Sequence, residues 1–224
     1  EPNAYGMRFE DCDMTLYTIS TQSNQISIGQ DALVVDSCTW EDTNSVLTGT
    51  DQAGSVGFND DNTYGAPVVL SGTTISGFET GVLKTSGDLT LNNGATFTAA
   101  NGGNGVSTSG IDVVAKSITL DGGTSGTGMT VADSNSLTIE DVDTLGNNGI
   151  TVTGSEFTWT GGNTANSGTT LTVVDSTGDV TSIVDTGTGN QIDASTESYV
   201  NSIDYSLDEA KMVVDATSIV DESN

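Results

Sequence analysis

Residues 129–139 read MTVADSNSLTI, and residues 150–159 repeat the pattern as ITVTGSEFTW. In both stretches apolar residues alternate with Thr or Ser on either side of a polar corner. An alternation with a period of two is typical of a β-strand that buries one face. Each stretch is therefore predicted to form a strand, a tight corner and a second strand.

The first apolar position of this unit recurs along nearly the whole chain, at steps of 20 to 26 residues. The ten positions are Met7, Leu33, Val56, Val82, Val106, Met129, Ile150, Leu171, Ile192 and Met212. Repeats of this length are typical of solenoids, in which each unit buries its inner face only by stacking on its neighbours. A third group of apolar residues predicts a third strand in each unit; it comprises Ile75, Phe78, Phe97, Ile118, Leu120, Val142 and Leu145.

These patterns predict an all-β, single-domain parallel β-helix over residues 1–224. It would have about nine or ten coils of 20–26 residues, from about residue 6 to residue 220, with a short helical turn at 206–211. The alternative is an antiparallel β-sandwich, which also combines many short strands with Gly-rich turns. A sandwich does not normally repeat one sequence register along its whole length, so the β-helix is favoured.

The charge of the chain excludes two classes of partner. Lys and Arg together number 4 against 31 Asp and Glu, which gives a formal net charge of −27, and His is absent. Such a chain repels nucleic-acid phosphates and anionic lipid, so binding to either is not expected. No apolar run is long enough to cross a bilayer, so direct membrane insertion is not expected.

Two cysteines, Cys12 and Cys38, occupy equivalent places in the first two coils. Each lies five residues beyond the first apolar position of its coil, which is Met7 or Leu33. Adjacent strands are about 4.8 Å apart, within the Cα separation of a disulfide. The spacing predicts a Cys12–Cys38 disulfide and an oxidising, extracellular setting. Two buried free thiols are the alternative.

Acidic residues gather at the corner after the first strand in the first three coils; they are Glu10, Asp11, Asp13, Asp36, Asp60 and Asp61. Stacked carboxylates repel one another unless a cation bridges them, and Ca²⁺ accepts about six to eight oxygen ligands. Calcium is therefore the candidate ligand of this corner, and no cofactor is otherwise required. A solvated acidic corner without metal is the alternative.

Three segments, GVLKTSGDLTLNNG (81–94), GMTVADSNSLTIED (128–141) and GITVTGSEFTWTGG (149–162), resemble coils of right-handed parallel β-helix proteins of the pectin-lyase-like kind. That group includes polysaccharide lyases and hydrolases, phage tailspikes, and adhesin regions of surface proteins. The resemblance covers about residues 5–220 and implies the architecture and an exported setting. It does not imply an activity, because one fold can carry many functions.

The catalytic residues of the enzymes in this group have no clear counterpart here. The lyases pair calcium-binding acids with Arg or Lys, whereas the basic residues of this chain, Arg8, Lys84, Lys116 and Lys211, are far apart in the repeat. The polygalacturonase-like pattern needs His, which the chain lacks. We therefore expect a non-catalytic protein. Carbohydrate binding or hydrolysis by paired carboxylates is the alternative. An ice-binding Thr array is disfavoured, because Lys84, Asp88 and Glu156 would interrupt its columns.

The expected function is that of an extracellular structural or adhesive rod at the cell surface. Neither terminal segment resembles a cap for the open ends of the stack, and soluble solenoids need one. The rod is therefore expected to associate with copies of itself end to end or laterally, or to continue into a larger surface protein. A calcium-stabilised segment of such an adhesin is a further alternative, and glycans are candidate partners.

Overall fold

The chain forms a parallel β-solenoid of about eight turns in the computed structural model, with 68% of its residues in strands. The structure describes residues 7–10, 13–17, 20–22, 31–36, 39–60, 65–203 and 207–223. The predicted all-β parallel solenoid is confirmed, and the number of turns is close to the nine or ten expected.

The first face has ten described strands, which stack in parallel along the solenoid; eight of them belong to turns that also have a strand on the third face. The ten strands are Met7–Glu10, Asp31–Asp36, Val46–Asp60, Thr74–Lys84, Thr96–Ser109, Thr127–Ala132, Asn148–Thr153, Thr169–Val174, Asn190–Ser195 and Met212–Val214. The second face is a separate parallel sheet. Its strands are Asp13–Tyr17, Thr39–Thr43, Val68–Ser71, Leu89–Asn92, Val113–Lys116, Leu137–Glu140, Glu156–Thr160, Thr177–Thr181, Tyr199–Ile203 and Ile219–Ser223.

The third face is continuous with the first. Three long strands begin on the third face, bend round a corner and end on the first; they are Val46–Asp60, Thr74–Lys84 and Thr96–Ser109. The separate strands of the third face are Ser20–Gln22, Thr119–Asp121, Asp143–Gly146, Asn163–Asn166 and Val184–Asp185. A 3₁₀ turn, Glu209–Lys211, lies within the segment 206–211 where the sequence predicts a helical turn.

The inner column of the first face follows the predicted apolar positions with one correction. Leu33 pairs with Phe58 rather than Val56, and Phe58 pairs with Val82. Phe58 is almost fully buried and its ring meets that of Trp40 edge-on, with centroids 5.9 Å apart. The step between turns therefore shortens steadily from 26 residues, at Met7 to Leu33, to 20 residues, at Ile192 to Met212.

The third inner column is apolar only in its first half. Leu47, Ile75, Phe97 and Leu120 pair in sequence and are buried, but the next positions are Thr144, Thr164 and Asp185. Leu145, predicted to be inward, is 40% exposed because Thr144 takes the inner position. The hydroxyl of Thr144 donates to Asn166 Oδ1 at 2.6 Å, which satisfies it in the interior.

The corner between the first and second faces is held by a column of serines. Four buried serines form this column: Ser134, Ser155, Ser176 and Ser198. Each of the first three donates its backbone N–H to the hydroxyl oxygen of the serine one turn further on, at 2.9 to 3.3 Å. The fourth donates to Ser218 in the same way, at 3.1 Å. The residue directly before each serine has a positive φ and is Asp133, Gly154, Asp175 or Glu197; Asp and Gly tolerate this conformation well.

Replacing Ser155 with Ala is expected to lower the free energy of unfolding by about 1–3 kcal/mol, the range for a buried polar group that loses its partner. The change removes the acceptor for Ser134 N–H at 2.9 Å and the donor to Thr153 O at 2.7 Å. Urea unfolding measures the effect, and the exposed Ser136 gives the control. An S136A variant that lost as much stability would contradict the corner role of Ser155.

Candidate functional site

The acidic corner proposed for calcium is only partly described by the structure. Asp11 and Asp61 lie outside the described residues, and only the backbone is described for Glu10, Asp13 and Asp36. Glu10 pairs with Asp36, as the sequence predicts. Asp60 does not continue this column, because it pairs with Val35. Among the described residues, no three His, Cys, Asp or Glu side chains are grouped so that they could hold a metal ion.

Asp60 instead points into the solenoid, where it meets Lys84. The two residues are register partners on consecutive strands of the first face, and Lys84 Nζ forms an ion pair with Asp60 Oδ2. Both side chains have 0% exposure, and Lys84 Nζ also donates to Ala66 O at 3.0 Å. Burial lowers the pKa of the Lys84 amine, whereas Asp60 and Asp88 act in the opposite direction. This pair replaces two apolar positions of the inner column.

A second carboxylate, Asp42, lies inside the solenoid on the second face. It accepts hydrogen bonds from Thr73 Oγ1 at 2.5 Å and from Trp40 Nε1 at 3.3 Å. Burial raises the pKa of Asp42, although its hydrogen bonds act in the opposite direction. These contacts give the carboxylate a structural role in the second turn.

The polar half of the third inner column ends at an ion pair. Asp185 Oδ1 accepts from Thr164 Oγ1 at 2.7 Å, and Asp185 Oδ2 lies 3.7 Å from Lys211 Nζ. Lys211 Nζ also donates to Gly187 O at 2.7 Å. Lys211, the last residue of the 3₁₀ turn, therefore connects the last described turn to the third face of the solenoid.

The second face carries a shallow groove of about 400 Å³ that is lined by both polar and apolar side chains. Glu156, Thr177 and Tyr199 form one column of its lining, because they pair in sequence on three consecutive strands. Asp179 lies in the neighbouring column, where it accepts from Asn201 Nδ2 at 3.1 Å. Tyr199 is 39% exposed, which leaves part of its ring accessible.

The two carboxylates of this groove are close enough to act on one ligand. Glu156 pairs with Thr177, and Asp179 lies two residues further along the same strand. The spacings of a parallel sheet put their Cα atoms roughly 8 Å apart. Hydroxyl and carboxylate oxygens beside an exposed aromatic ring are suited to a polar ligand with an apolar face, such as a sugar ring. The sequence pattern did not single out these residues as a group.

The outer surface of the first face carries a column of threonines. Thr130, Thr151 and Thr172 pair in sequence, and Ser107 and Asp193 continue the column on either side. Lys84, which was expected to interrupt such columns, is instead an inner residue. The threonine column extends over three turns before Asp193 ends it.

Trp159, by contrast, is a core residue, as its alternation with Phe157 predicts. It is 1% exposed, and its indole N–H donates to Gly161 O at 3.0 Å. It is therefore not available as a surface platform for a ligand.

Comparison with known proteins gives no match: no family model fits the chain, and no curated protein or solved structure matches it. The described residues form no helix that is long and apolar enough to span a membrane. The resemblance to pectin-lyase-like proteins therefore extends to the parallel β-solenoid fold, and not to a named family.

Proposed function

We propose that this chain is a non-catalytic structural or adhesive protein of the cell exterior, built as a β-helical rod. One observation carries the proposal: the described strands from Met7 to Ser223 stack turn on turn in parallel. Each turn shields its neighbours from water, so the whole repeat contributes to one stiff body. Such a body can hold apart, or connect, whatever binds to its sides and ends.

The last described turn supports an end-to-end contact as part of this function. Met212–Val214 and Ile219–Ser223 each pair with one neighbouring strand among the described residues. Val214 is the register partner of Ala194, which is 1% exposed in the inner column, yet Val214 is itself 39% exposed. A further turn, from the same polypeptide or from another copy, would pair with these strands and cover Val214.

Electron microscopy of the purified chain across a range of concentrations tests the assembly. Rods that lengthen with concentration are expected, because end-to-end contacts repeat without closing. The variant V214K, which places a charge in the inner column at the end of the stack, should shorten them, while T160K, which adds a charge to the side of the rod, should not. Isolated particles of one length at every concentration would contradict assembly through the ends.

The extracellular part of the proposal depends on the disulfide between Cys12 and Cys38. Both cysteines lie outside the described residues, but the strand pairs on either side of them, Glu10 with Asp36 and Asp13 with Thr39, keep the same offset of 26 residues. This constant offset supports the stacking of the two cysteines, and disulfides persist in oxidising compartments.

Replacing both cysteines with serine is expected to lower the free energy of unfolding by about 3 kcal/mol, because the disulfide restricts the unfolded chain. Chemical unfolding of the oxidised wild type and of the double variant measures the loss. Reduction of the wild type should produce the same loss and should leave the variant unchanged. Two reactive thiols in the purified, non-reduced protein would contradict the disulfide.

A second candidate function, glycan binding, is favoured by the groove on the second face. Tyr199 would stack on a sugar ring while Glu156 and Asp179 accept hydrogen bonds from its hydroxyl groups. A glycan array, followed by a hydrolysis assay on each bound glycan, tests this function. Y199A should abolish glycan binding, and T130A on the first face should not. Binding that survives Y199A would contradict the groove, and turnover of a bound glycan would contradict the non-catalytic assignment.

A further inference from the structure

The inner column of the first face contains a buried Lys–Asp contact that the proposed function does not use. Asp60 and Lys84 are register partners, so their side chains project into the interior from the same position of consecutive turns. The next position in the column is Thr108, which is also buried. The column returns to apolar residues at Val131, Val152 and Val173.

Burial makes this contact chemically different from an ordinary ion pair. Both side chains have 0% exposure, so neither charge has contact with solvent. Separated charges in such a site are costly, and transfer of the proton from the ammonium to the carboxylate removes both of them. The result is a neutral amine, which has a free electron pair, beside a neutral carboxylic acid. Desolvation activates lysines as nucleophiles in this way.

The structure also holds the amine in place. Lys84 Nζ contacts Asp60 Oδ2 and donates to Ala66 O at 3.0 Å. Fixed neighbours of this kind react far faster than the same groups in solution, because the entropy of bringing them together has already been lost.

We propose that Lys84 and Asp60 are joined by an amide bond between their side chains, which links two consecutive turns covalently. The neutral Nζ attacks Cγ of the Asp60 carboxylic acid, and the new C–N bond forms as the C–OH bond breaks. The departing hydroxyl takes one proton from the nitrogen and leaves as water. The reaction involves no change of oxidation state and needs no further reactant. The remaining amide N–H keeps the hydrogen bond to Ala66 O.

The chain contains a matched pair that lacks the required environment. Lys116 and Glu140 are also register partners on consecutive strands, and Lys116 Nζ lies 2.7 Å from Glu140 Oε2. Their side chains are 49% and 54% exposed, so water stabilises both charges. A solvated ammonium has no free electron pair, and we expect no amide at this pair.

Trypsin digestion of the denatured, reduced and alkylated wild-type protein tests the proposal, because the chain has only four basic residues as cleavage sites. An amide at Lys84 blocks cleavage there, while Lys116 is still cleaved and serves as the control in the same digest. We expect one fragment covering residues 9–116 whose mass is lower than that of its sequence by one water. A second digestion at acidic residues should then release a branched peptide that joins Asp60 to Lys84.

Separate fragments 9–84 and 85–116 from correctly folded protein would overturn the proposal, and so would water loss that maps to any other residue. The variant K84M should have the full sequence mass, and K116M should keep the deficit of one water. The wild-type digest decides the question by itself even where K84M does not fold. A deficit that persists in K84M would also overturn the proposal.

Discussion

Replacing Trp159 with Ala should lower the free energy of unfolding by about 3–5 kcal/mol, the range for removing a large aromatic side chain from a packed core. Trp159 is 1% exposed and lies between its register partners Ile139 and Val180 on the inner column of the second face. Its removal leaves a cavity that the two neighbouring turns cannot close, because their backbones are fixed by the sheet. Urea denaturation followed by circular dichroism measures the loss.

The adjacent residue Thr160 provides the control for this variant. It lies on the same strand but on the outer side, where it is exposed. T160A should change the free energy of unfolding by no more than about 0.5 kcal/mol, as is usual for surface positions. Equal losses in W159A and T160A would show that Trp159 is not a core residue, and the alternation along this strand would then have no structural meaning.

The fold could be predicted because every turn must bury apolar side chains at the same positions. Val82, Val106 and Met129 recur at one register position and are fully buried, as the period requires. The prediction was wrong in the second half of the long strand Val46–Asp60, because its pairing with Thr74–Lys84 shifts register between Thr48 and Val56. Extra residues at such irregularities change the number of residues between equivalent positions of consecutive turns, but they do not change the apolar pattern on either side. The pattern alone therefore selected Val56 in place of Phe58.

The polar residues inside the solenoid could not be predicted from the pattern, because a period-two reading assigns polar residues to the outside. Thr144 and Thr164 are buried at positions that were expected to be apolar. Their hydroxyl groups are satisfied by Asn166 and Asp185, which come from the next turn. A single turn of sequence gives no sign of these partners. Lys84 is different, because it shares the parity of Val82 and the alternation alone puts it inside, so the expectation that it would interrupt an outer column was wrong.

The groove on the second face was not predicted for a related reason. Glu156, Asp179 and Tyr199 come from three different turns, and only the register brings them onto one surface. The acidic corner at the start of the chain was predicted from clustering along the sequence. The structure separates Asp60 from that cluster, because the register pairs it with Val35 and the alternation of the strand then turns it inward.

Replacing Asp60 with Ala should lower the free energy of unfolding at neutral pH by about 3–5 kcal/mol, the range for removing one partner of a buried ion pair. This range describes the loss of the Lys84 partner alone; an amide between Asp60 and Lys84 would make the loss larger, because the covalent link also restricts the unfolded chain. In D60A the amine is left inside the solenoid with Ala66 O as its described hydrogen-bond acceptor. E140A is the matched control, since it removes the partner of the exposed Lys116 at the equivalent register. It should cost less than about 1 kcal/mol.

The loss in D60A should diminish as the pH is raised from neutral toward 10. Burial lowers the pKa of Lys84 in the folded chain, and the removal of Asp60 takes away the group that opposes this shift most strongly. The unfolded chain keeps the ordinary lysine pKa of about 10.4 and so binds more protons in this interval, which makes stability rise with pH. E140A should show no such recovery relative to the wild type, because water surrounds Lys116. Chemical unfolding of all three proteins at several pH values measures these differences, and a D60A deficit that stayed constant would show that the Lys84 amine is not buried.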